Sequence, residues 1–374
     1  MTTIRRKRGE RPSGESKVVT LKVVAEHLGL SPATVSLVLN RSPAAGSIPA
    51  ETQERVFAAA SELNYRPNYM ARSLRSRRSF SVGVLVPEIS EPYAGEVMSG
   101  IEARLVETGY HYLVASHRRS NASVLHEYLD LMRDRAVEGM IVVGGELHEH
   151  PAMPAVVVSG HVPLEGVTNV VIDHDRAASL VLGHLRELGH ERIAFFKGQP
   201  SSADTADRWR AIAAAAAELD LRLDPRLIVQ LSGEPTLATF SPADGYEEGY
   251  TFARTLLDRG AEFTALFSWD DVAAIGAIRA FLDAGLHVPG DVAVVGFDDI
   301  QAAAYHNPTL TTVRQPLRRM GELAVEILLR KVNGEGGDGA AQALVTVEPE
   351  LIVRGSTGPA PAVRSSARGD VDGG

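Results

Sequence analysis

Between Thr20 and Asn40 the chain reads TLKVVAEHLGLSPATVSLVLN, and three residues within it, Gly29, Ser31 and Pro32, leave it few ways to fold. Thr20 is placed to cap a short helix whose apolar positions Val24, Ala25 and Leu28 recur at helical spacing. Gly29 supplies the left-handed turn that ends it. Ser31 then offers a second N-cap, and Pro32 takes the first helical position of a segment that runs to Leu39 and buries Val35 and Val38. Two short helices joined by a glycine turn make a helix-turn-helix, whose second helix fits the major groove of DNA. An ordinary helical hairpin would give the same pattern, so its surroundings must decide.

The first of these is charge. The net charge of −9 over 374 residues conceals a division: residues 1–80 hold 14 Lys/Arg against 6 Asp/Glu, and the remainder 24 against 41. A basic head on an acidic body suits a protein whose head binds a polyanion while the body stays off it. Residues 1–17 have no periodicity and read as a flexible arm. Its cluster Arg5, Arg6, Lys7 and Arg8 either reaches phosphates and a minor groove or merely solvates a disordered start. After the hairpin comes a Pro/Ala/Gly/Ser loop over 41–47. A third helix, beginning near Pro49, is expected to bury Val56, Phe57 and Ala60 before Pro67 stops it.

From Phe80 onward the period changes. Short β-rich runs at 81–86, 110–116, 139–144, 155–159, 169–173, 192–196, 227–231, 264–268 and 292–297 alternate with amphipathic stretches such as 94–108, 122–135, 175–188, 205–219, 245–259 and 271–284. This alternation implies parallel sheets with helices on both faces, and its length suits two doubly wound subdomains better than one. The Gly-rich piece at 333–341 reads as a surface linker, since no phosphate-loop pattern occurs. No apolar run approaches a membrane span, no export segment is evident, and zero cysteines exclude disulfides and thiolate metal sites. A cytoplasmic protein, nucleoid-associated when bound to DNA, is expected.

The chain resembles the lactose-repressor (LacI/GalR) family of bacterial transcription regulators. The resemblance rests on VTLKVVAEHLGLSPATVSLVLN at 19–40, ELNYRPNYMARSLR at 62–75, and motifs further on, and covers about residues 18–357. It implies an all-α helix-turn-helix DNA-binding head and an α/β core like a periplasmic binding protein, built of two doubly wound parallel-sheet subdomains. The expected division is a basic arm over 1–17, the head over 18–67, a hinge helix and linker over 68–79, the core over 80–357 and a disordered tail over 358–374. The chain is expected to cross between subdomains near 160, 306 and 341. One subdomain would then take about 80–160 and 307–340, the other 161–306 and 341–357.

Residue by residue, the resemblance assigns Thr20, Ser31, Thr34, Ser36 and Asn40 to DNA, the last four as phosphate-positioning groups. Pro32, Ala33 and Leu37 occupy the positions that face base edges. Leu37 stands where many members carry an arginine, so readout there is expected to be apolar, supplemented by DNA shape. Asn68, Arg72, Leu74 and Arg75 fall in the hinge helix, with Leu74 matching a leucine that wedges between bases at the operator centre. Val23 replaces the usual Asp, removing half of a capping box. In the core, Tyr93, Arg210, Phe240, Trp269, Asp270 and Asp298 match the family's effector cleft. Asp270 replaces the usual Asn, and Ala94 replaces a second aromatic, which is expected to enlarge that end.

Aromatic faces with Arg and Asp side chains in a dry cleft suit a sugar. Each of these residues also has a plainer use, in the core, in a helix cap or in a surface ion pair. Enzyme readings lack their parts: there is no GxSxG, no HExxH and no Cys, and no cofactor is expected. The one dense His/Glu cluster, His148-Glu149-His150, lies in an expected loop without a third ligand in sight. His190 matches a family position with a structural role before a strand. The expected partners are pseudo-palindromic operator DNA, a small effector of carbohydrate type and a second copy of the chain, since the tail offers no heptads for a tetramer. Two rivals remain open: an architectural DNA-binding protein with a relic cleft, and a solute-binding protein, which would leave the first 80 residues unexplained.

Overall fold

A computed structural model describes residues 19–66, 78–117, 122–200, 202, 204–230, 244–335 and 343–361. It divides into two compact units at Ser79/Phe80. The first is the helical head. Helix α1 (Leu21–Leu28) ends at Gly29, whose φ of +64° is the left-handed turn expected of it. Helix α2 (Pro32–Leu39) starts at Ser31, whose side chain accepts from the Thr34 amide at 3.1 Å. Thr20 holds the N-cap position of α1, but its side chain makes no capping bond, contrary to expectation.

Helix α3 (Ala50–Glu62) buries Val56, Ala59 and Ala60, one face at i, i+3 and i+4. Phe57, expected inside, lies about 100° around the helix from Val56 and is 41% exposed. Val24, Ala25, Val35 and Val38 close the small core against Val56 and Ala59. The 41–47 loop carries a 3-10 turn (Pro43–Ser47), pinned by the Gln53 amide group donating to the carbonyls of Ala45 and Ile48 at 3.0 and 2.8 Å.

The second unit holds two six-stranded sheets with the same winding. In the first lobe, β1 (Ser81–Val86), β2 (His111–Ser116), β3 (Gly139–Val143), β4 (Ala155–Val158), β5 (Val167–Ile172) and β11 (Leu344–Val347) lie in the order β2-β1-β3-β4-β5-β11, all parallel. The inner strands are continuous Val/Ile runs buried on both faces, as a helix-covered parallel sheet demands. In the second lobe, β6 (Ile193–Lys197), β7 (Ile228–Gln230), β8 (Ala265–Phe267), β9 (Ala293–Asp298), β10 (Thr311–Arg314) and β12 (Glu350–Ile352) repeat that order as β7-β6-β8-β9-β10-β12. Here the edge pair β10–β12 is antiparallel, a departure from the purely parallel sheets expected.

Among the described residues the helices of the core are α4 (Pro92–Thr108), α5 (Ala122–Asp134), α6 (His174–Glu187), α7 (Asp204–Glu218), α8 (Asp244–Asp258), α9 (Asp271–Asp283) and α11 (Leu317–Val332), with a short α10 (Gln301–Tyr305) beside them. In each lobe a pair of helices crosses through glycines. A Cβ on Gly100 of α4 would lie 1.9 Å from the Arg318 carbonyl oxygen, and one on Gly321 of α11 would lie 2.2 Å from that of Val97. Gly249 and Gly276 give α8 and α9 the same closeness.

The crossing points differ from those expected. The chain leaves the first sheet after β5, near Asp173, returns between β10 and α11 near Gln315, and leaves again between β11 and β12 near Glu348. Positions 160 and 306 therefore lie within lobes, and 341 lies outside the described residues. Strand β10 belongs to the second sheet and β11 to the first, the reverse of the expected division. The tail also begins later than expected: the Ala360 amide donates to the Leu188 carbonyl at 2.8 Å, and His190, fully buried, bridges Thr264 and the Gly358 carbonyl. His190 thus has the structural role expected of it. Residues 362–374 lie outside the described residues.

Candidate effector cleft and DNA-facing helix

On the head, α2 sets the candidate DNA-facing groups. Pro32 and Ala33 are exposed on its first turn and Leu37 is partly exposed one turn on. Ser31 and Thr34 hydroxyls lie 2.9 Å apart, and the Asn40 amide group donates to the Ser36 carbonyl and hydroxyl oxygens at 2.7 and 3.1 Å. Ser36 itself is buried, so it acts on Asn40 rather than reaching outward. Asn68, Arg72, Leu74 and Arg75 lie outside the described residues, as does Phe240.

In the core, the carboxyl ends of the strands of both lobes carry the polar groups that sequence reasoning sought, where ligands of such folds are taken. Tyr93 opens α4 just after β1, and its hydroxyl lies 2.7 Å from that of Ser159 beyond β4. Arg208 on α7 is 5% exposed. Its guanidinium lies between the rings of Trp269 and Phe297, 3.8 and 3.7 Å from their centroids, and donates to the Trp269 carbonyl at 2.7 Å. Such stacking is worth most where water is excluded. Trp269 can lie flat there because the facing residue is Gly198, where a Cβ would come within 2.3 Å of the indole. Burial opposes the Arg208 charge, and Asp204, Asp298, Asp270 and Tyr93 support it.

Arg208, not Arg210, is therefore the arginine of the cleft. Arg210 points away, paired with Asp175 at 3.1 Å and Asp207 at 3.6 Å on the open surface. The reason is helical phase: Asp204, Arg208, Ala211, Ile212 and Ala215 share the buried face of α7, and position 210 falls on the other side. Ala94 is fully buried in the first lobe's apolar core.

Asp298 ends β9 with φ +107° and accepts from the Gln315 amide group at 2.6 Å. Burial pushes its carboxyl up to about 8, with Asp270 reinforcing and Arg208 opposing the shift. Asp270 caps α9, accepting from the Ala273 amide at 2.7 Å. Its neighbour Asp271 is fully buried, taking the Thr312 hydroxyl at 2.6 Å and the Ile300 amide at 2.9 Å, and is raised well above the usual range by burial. Beside Asp298 opens a cleft of about 570 Å³, bounded by Glu96 of α4, by Arg314 and Gln315, and by the first turn of α11.

Sequence reasoning missed a second group at this end of the lobes. His161, in the β4–β5 loop, places Nε2 2.6 Å from Asp204 Oδ1 and Nδ1 3.3 Å from Asp207. His174, the first residue of α6, approaches the same Asp204 oxygen at 3.2 Å. For Asp204, burial favours the neutral form, yet the hydrogen bonds from both imidazoles hold its carboxyl well below the usual range. Burial lowers His174; for His161, burial is overcome by Asp204 and Asp207, and its pKa rises. The sequence signal was weak, three single residues spread over 44 positions. The adjacent pair His148 and His150, by contrast, is exposed and makes only local bonds.

The same two-part architecture occurs in known proteins. Residues 20–68 match the family description "Bacterial regulatory proteins, lacI family", and residues 182–357 match "Periplasmic binding protein-like domain". The HTH-type transcriptional repressor PurR of Haemophilus influenzae is 30% identical over 348 residues, covering 91% of this chain and 98% of its own. PurR of Serratia proteamaculans is 31% identical over 355 residues, covering 92% and 99%. Among solved structures, the lac repressor dimer bound to operator and the anti-inducer ONPF superposes with a TM-score of 0.78 at 26% identity, covering 91% of this chain and 100% of that one. A complex of the transcriptional regulator CelR with cellobiose gives 0.64 at 28% identity, covering 90% and 99%.

Proposed function

The chain belongs to the lacI family of bacterial regulatory proteins, and from that premise we propose a transcriptional repressor whose grip on operator DNA is set by a neutral, hydroxyl-rich ligand of carbohydrate class. The observation that carries the ligand class is the state of charge around Arg208. Its guanidinium is already paired with Asp204 and stacked on two rings. Asp298, pushed up to about 8, is an uncharged O–H donor at neutral pH, and Asp270 adds a nearby negative charge. Arg314, Arg318 and Arg319, which line the cavity, are each paired with a carboxylate, so among the described residues no unpaired positive charge faces it for an anion, while Arg208, Asp298 and Tyr93 offer donors and acceptors to hydroxyls. The cavity beside Asp298 is of the size such ligands need. The CelR complex with cellobiose provides a precedent for a sugar in a related fold.

The head would read DNA through α2. Pro32, Ala33 and Leu37 carry no hydrogen-bonding side chain, so thymine methyl contact and DNA shape supply discrimination, with Ser31, Thr34 and Asn40 on phosphates. Asn68, Arg72, Leu74 and Arg75 complete the reading as a hinge segment, Leu74 wedging between bases in the minor groove. Two heads from a homodimer would address the halves of a pseudo-palindrome, one helical turn apart, ~10 bp. Such a protein works in the cytoplasm, on the nucleoid.

The test is thermal unfolding of the full chain against neutral sugars, sugar phosphates and nucleobases. A ligand at 100 times its Kd adds about 2.7 kcal/mol, an easily visible shift. A hit among neutral sugars that also alters operator retention in a gel shift supports the proposal. Shifts confined to phosphates or nucleobases overturn the ligand class, and no shift alongside intact DNA binding favours an architectural protein with a relic cleft.

A further inference from the structure

We propose that His161, His174 and Asp204 form a binding site for a divalent transition-metal ion, of the Zn²⁺ type, that joins the two lobes of the core. One donor atom from each of the three residues lies within 4.8 Å of the others, the one such group among the described residues. His174 and Asp204 are buried and His161 is nearly so, which keeps the donors from being surface coincidences. Two imidazoles and one carboxylate select zinc-like ions over Mg²⁺ and Ca²⁺, which prefer all-oxygen shells.

The surroundings are those a metal centre needs. His161 directs Nε2 at Asp204 while Asp207 stands 3.3 Å from its Nδ1, the carboxylate–imidazole support that fixes a ligating ring and raises its basicity. The loop bearing His161 is itself held, since the Asn169 amide group donates to the Val162 carbonyl at 3.0 Å. Asp204 meets both imidazoles through Oδ1 and leaves Oδ2 to Arg208 at 3.7 Å, so the ligating oxygen is not the one shared with the guanidinium. A tetrahedral ion with bonds of about 2.0–2.2 Å spaces its donors about 3.3 Å apart. His174 already stands at 3.2 Å from Oδ1, and His161, at 2.6 Å, has to back off by less than about 1 Å. Three protein ligands leave a fourth position for water or a ligand atom.

His161 comes from the first lobe, and His174 and Asp204 from the second, so an ion here would tie the lobes near the Asp173 crossing. The site is independent of the sugar proposal, because metal binding is measured without DNA or effector.

The experiment takes the full-length protein stripped with EDTA and titrates it with Zn²⁺ by calorimetry and with Co²⁺ by visible absorption. The expected result is one ion per chain, with intense d–d bands of low-symmetry, four-coordinate Co²⁺. His161→Ala should weaken binding at least 100-fold, and Asp207→Asn, which removes the carboxylate support of His161 along with an exposed pairing to Arg210, about 10-fold. Folding is checked by circular dichroism. His161→Ala is the decisive variant because it lies in a loop, whereas Asp204→Asn would strand the buried Arg208. Failure of the wild type to bind Zn²⁺, binding unchanged in His161→Ala, or loss confined to a His148→Ala/His150→Ala double variant would each overturn the proposal.

Discussion

Arg208 and Arg210 stand two residues apart in one helix and do opposite things. Stacked and desolvated, Arg208 relies on a planar guanidinium that lysine cannot imitate. Arg208→Lys should therefore weaken effector binding about 10–100-fold, the worth of a charged hydrogen bond in a dry site, while Arg210→Ala changes it less than about twofold. Ligand-induced shifts in unfolding temperature compare the two variants directly; equal losses would show that the cleft is misassigned. Which arginine faced inward was legible in the sequence after all, because position 208 is in helical phase with Ala211, Ile212 and Ala215. Matching a motif by spacing alone passed over that phase. Asp298 carries a prediction about pH. Its folded carboxyl, near 8, binds a proton that the unfolded chain has released above about pH 4. The stability it contributes is therefore complete below pH 4 and is lost as pH rises through 8, by up to about 1.4 kcal/mol per pH unit. Asp298→Asn should flatten that decline in urea unfolding measured from pH 5 to 8.5; an unchanged slope would mean that Asp298 is ionised in the folded protein.

Elements were legible where a period was sustained. The nine β-rich runs and the six amphipathic stretches all became strands and helices, because a buried parallel strand is a continuous apolar run and a covering helix repeats at 3.6. What escaped were β10, β11 and β12, only three or four residues each, and α11. β4, β7 and β8 are as short yet were legible from apolar runs, whereas TTVR, LVTV and ELI mix polar with apolar residues, and their place comes from the sheet edge they extend. Helix pairing was equally invisible, since the closeness of α4 and α11 depends on two glycines 221 positions apart. Gly321→Ala puts a methyl group against the Val97 carbonyl and should cost about 1–3 kcal/mol through forced backbone movement. Gly183, inside α6 with nothing within 4 Å of its would-be Cβ, is the matched control, and Gly183→Ala should stabilise by about 0.5–1 kcal/mol. Denaturant midpoints of opposite sign would confirm that packing, and not helix propensity, dictates glycine at 321; two shifts of the same sign would refute it.

At the scale of the whole molecule, two lobes of identical strand order made the crossings hard to place, because nothing local in β10 or β11 says which of two similar sheets will accept it. The crossings matter because Gln315 sits in one of them and holds Asp298 of the cleft at 2.6 Å, so a ligand that touches Asp298 acts on the joint between lobes. Motion of that joint can govern DNA only if two heads must be set against each other, which requires a dimer. We propose a contact on the second lobe at Tyr305, which at 82% is the most exposed large apolar side chain among the described residues. Tyr305→Arg places like charges opposite each other across any two-fold contact there, while disturbing little within the chain. It should shift the protein to monomer in sedimentation experiments. Operator affinity should then fall about 10²–10⁴-fold, the advantage that tethering gives a second head, while binding to an isolated half-site stays constant. A variant that remains dimeric would place the interface elsewhere. One that becomes monomeric yet binds the full operator unimpaired would mean that each head acts alone, and that lobe motion has no second head against which to work.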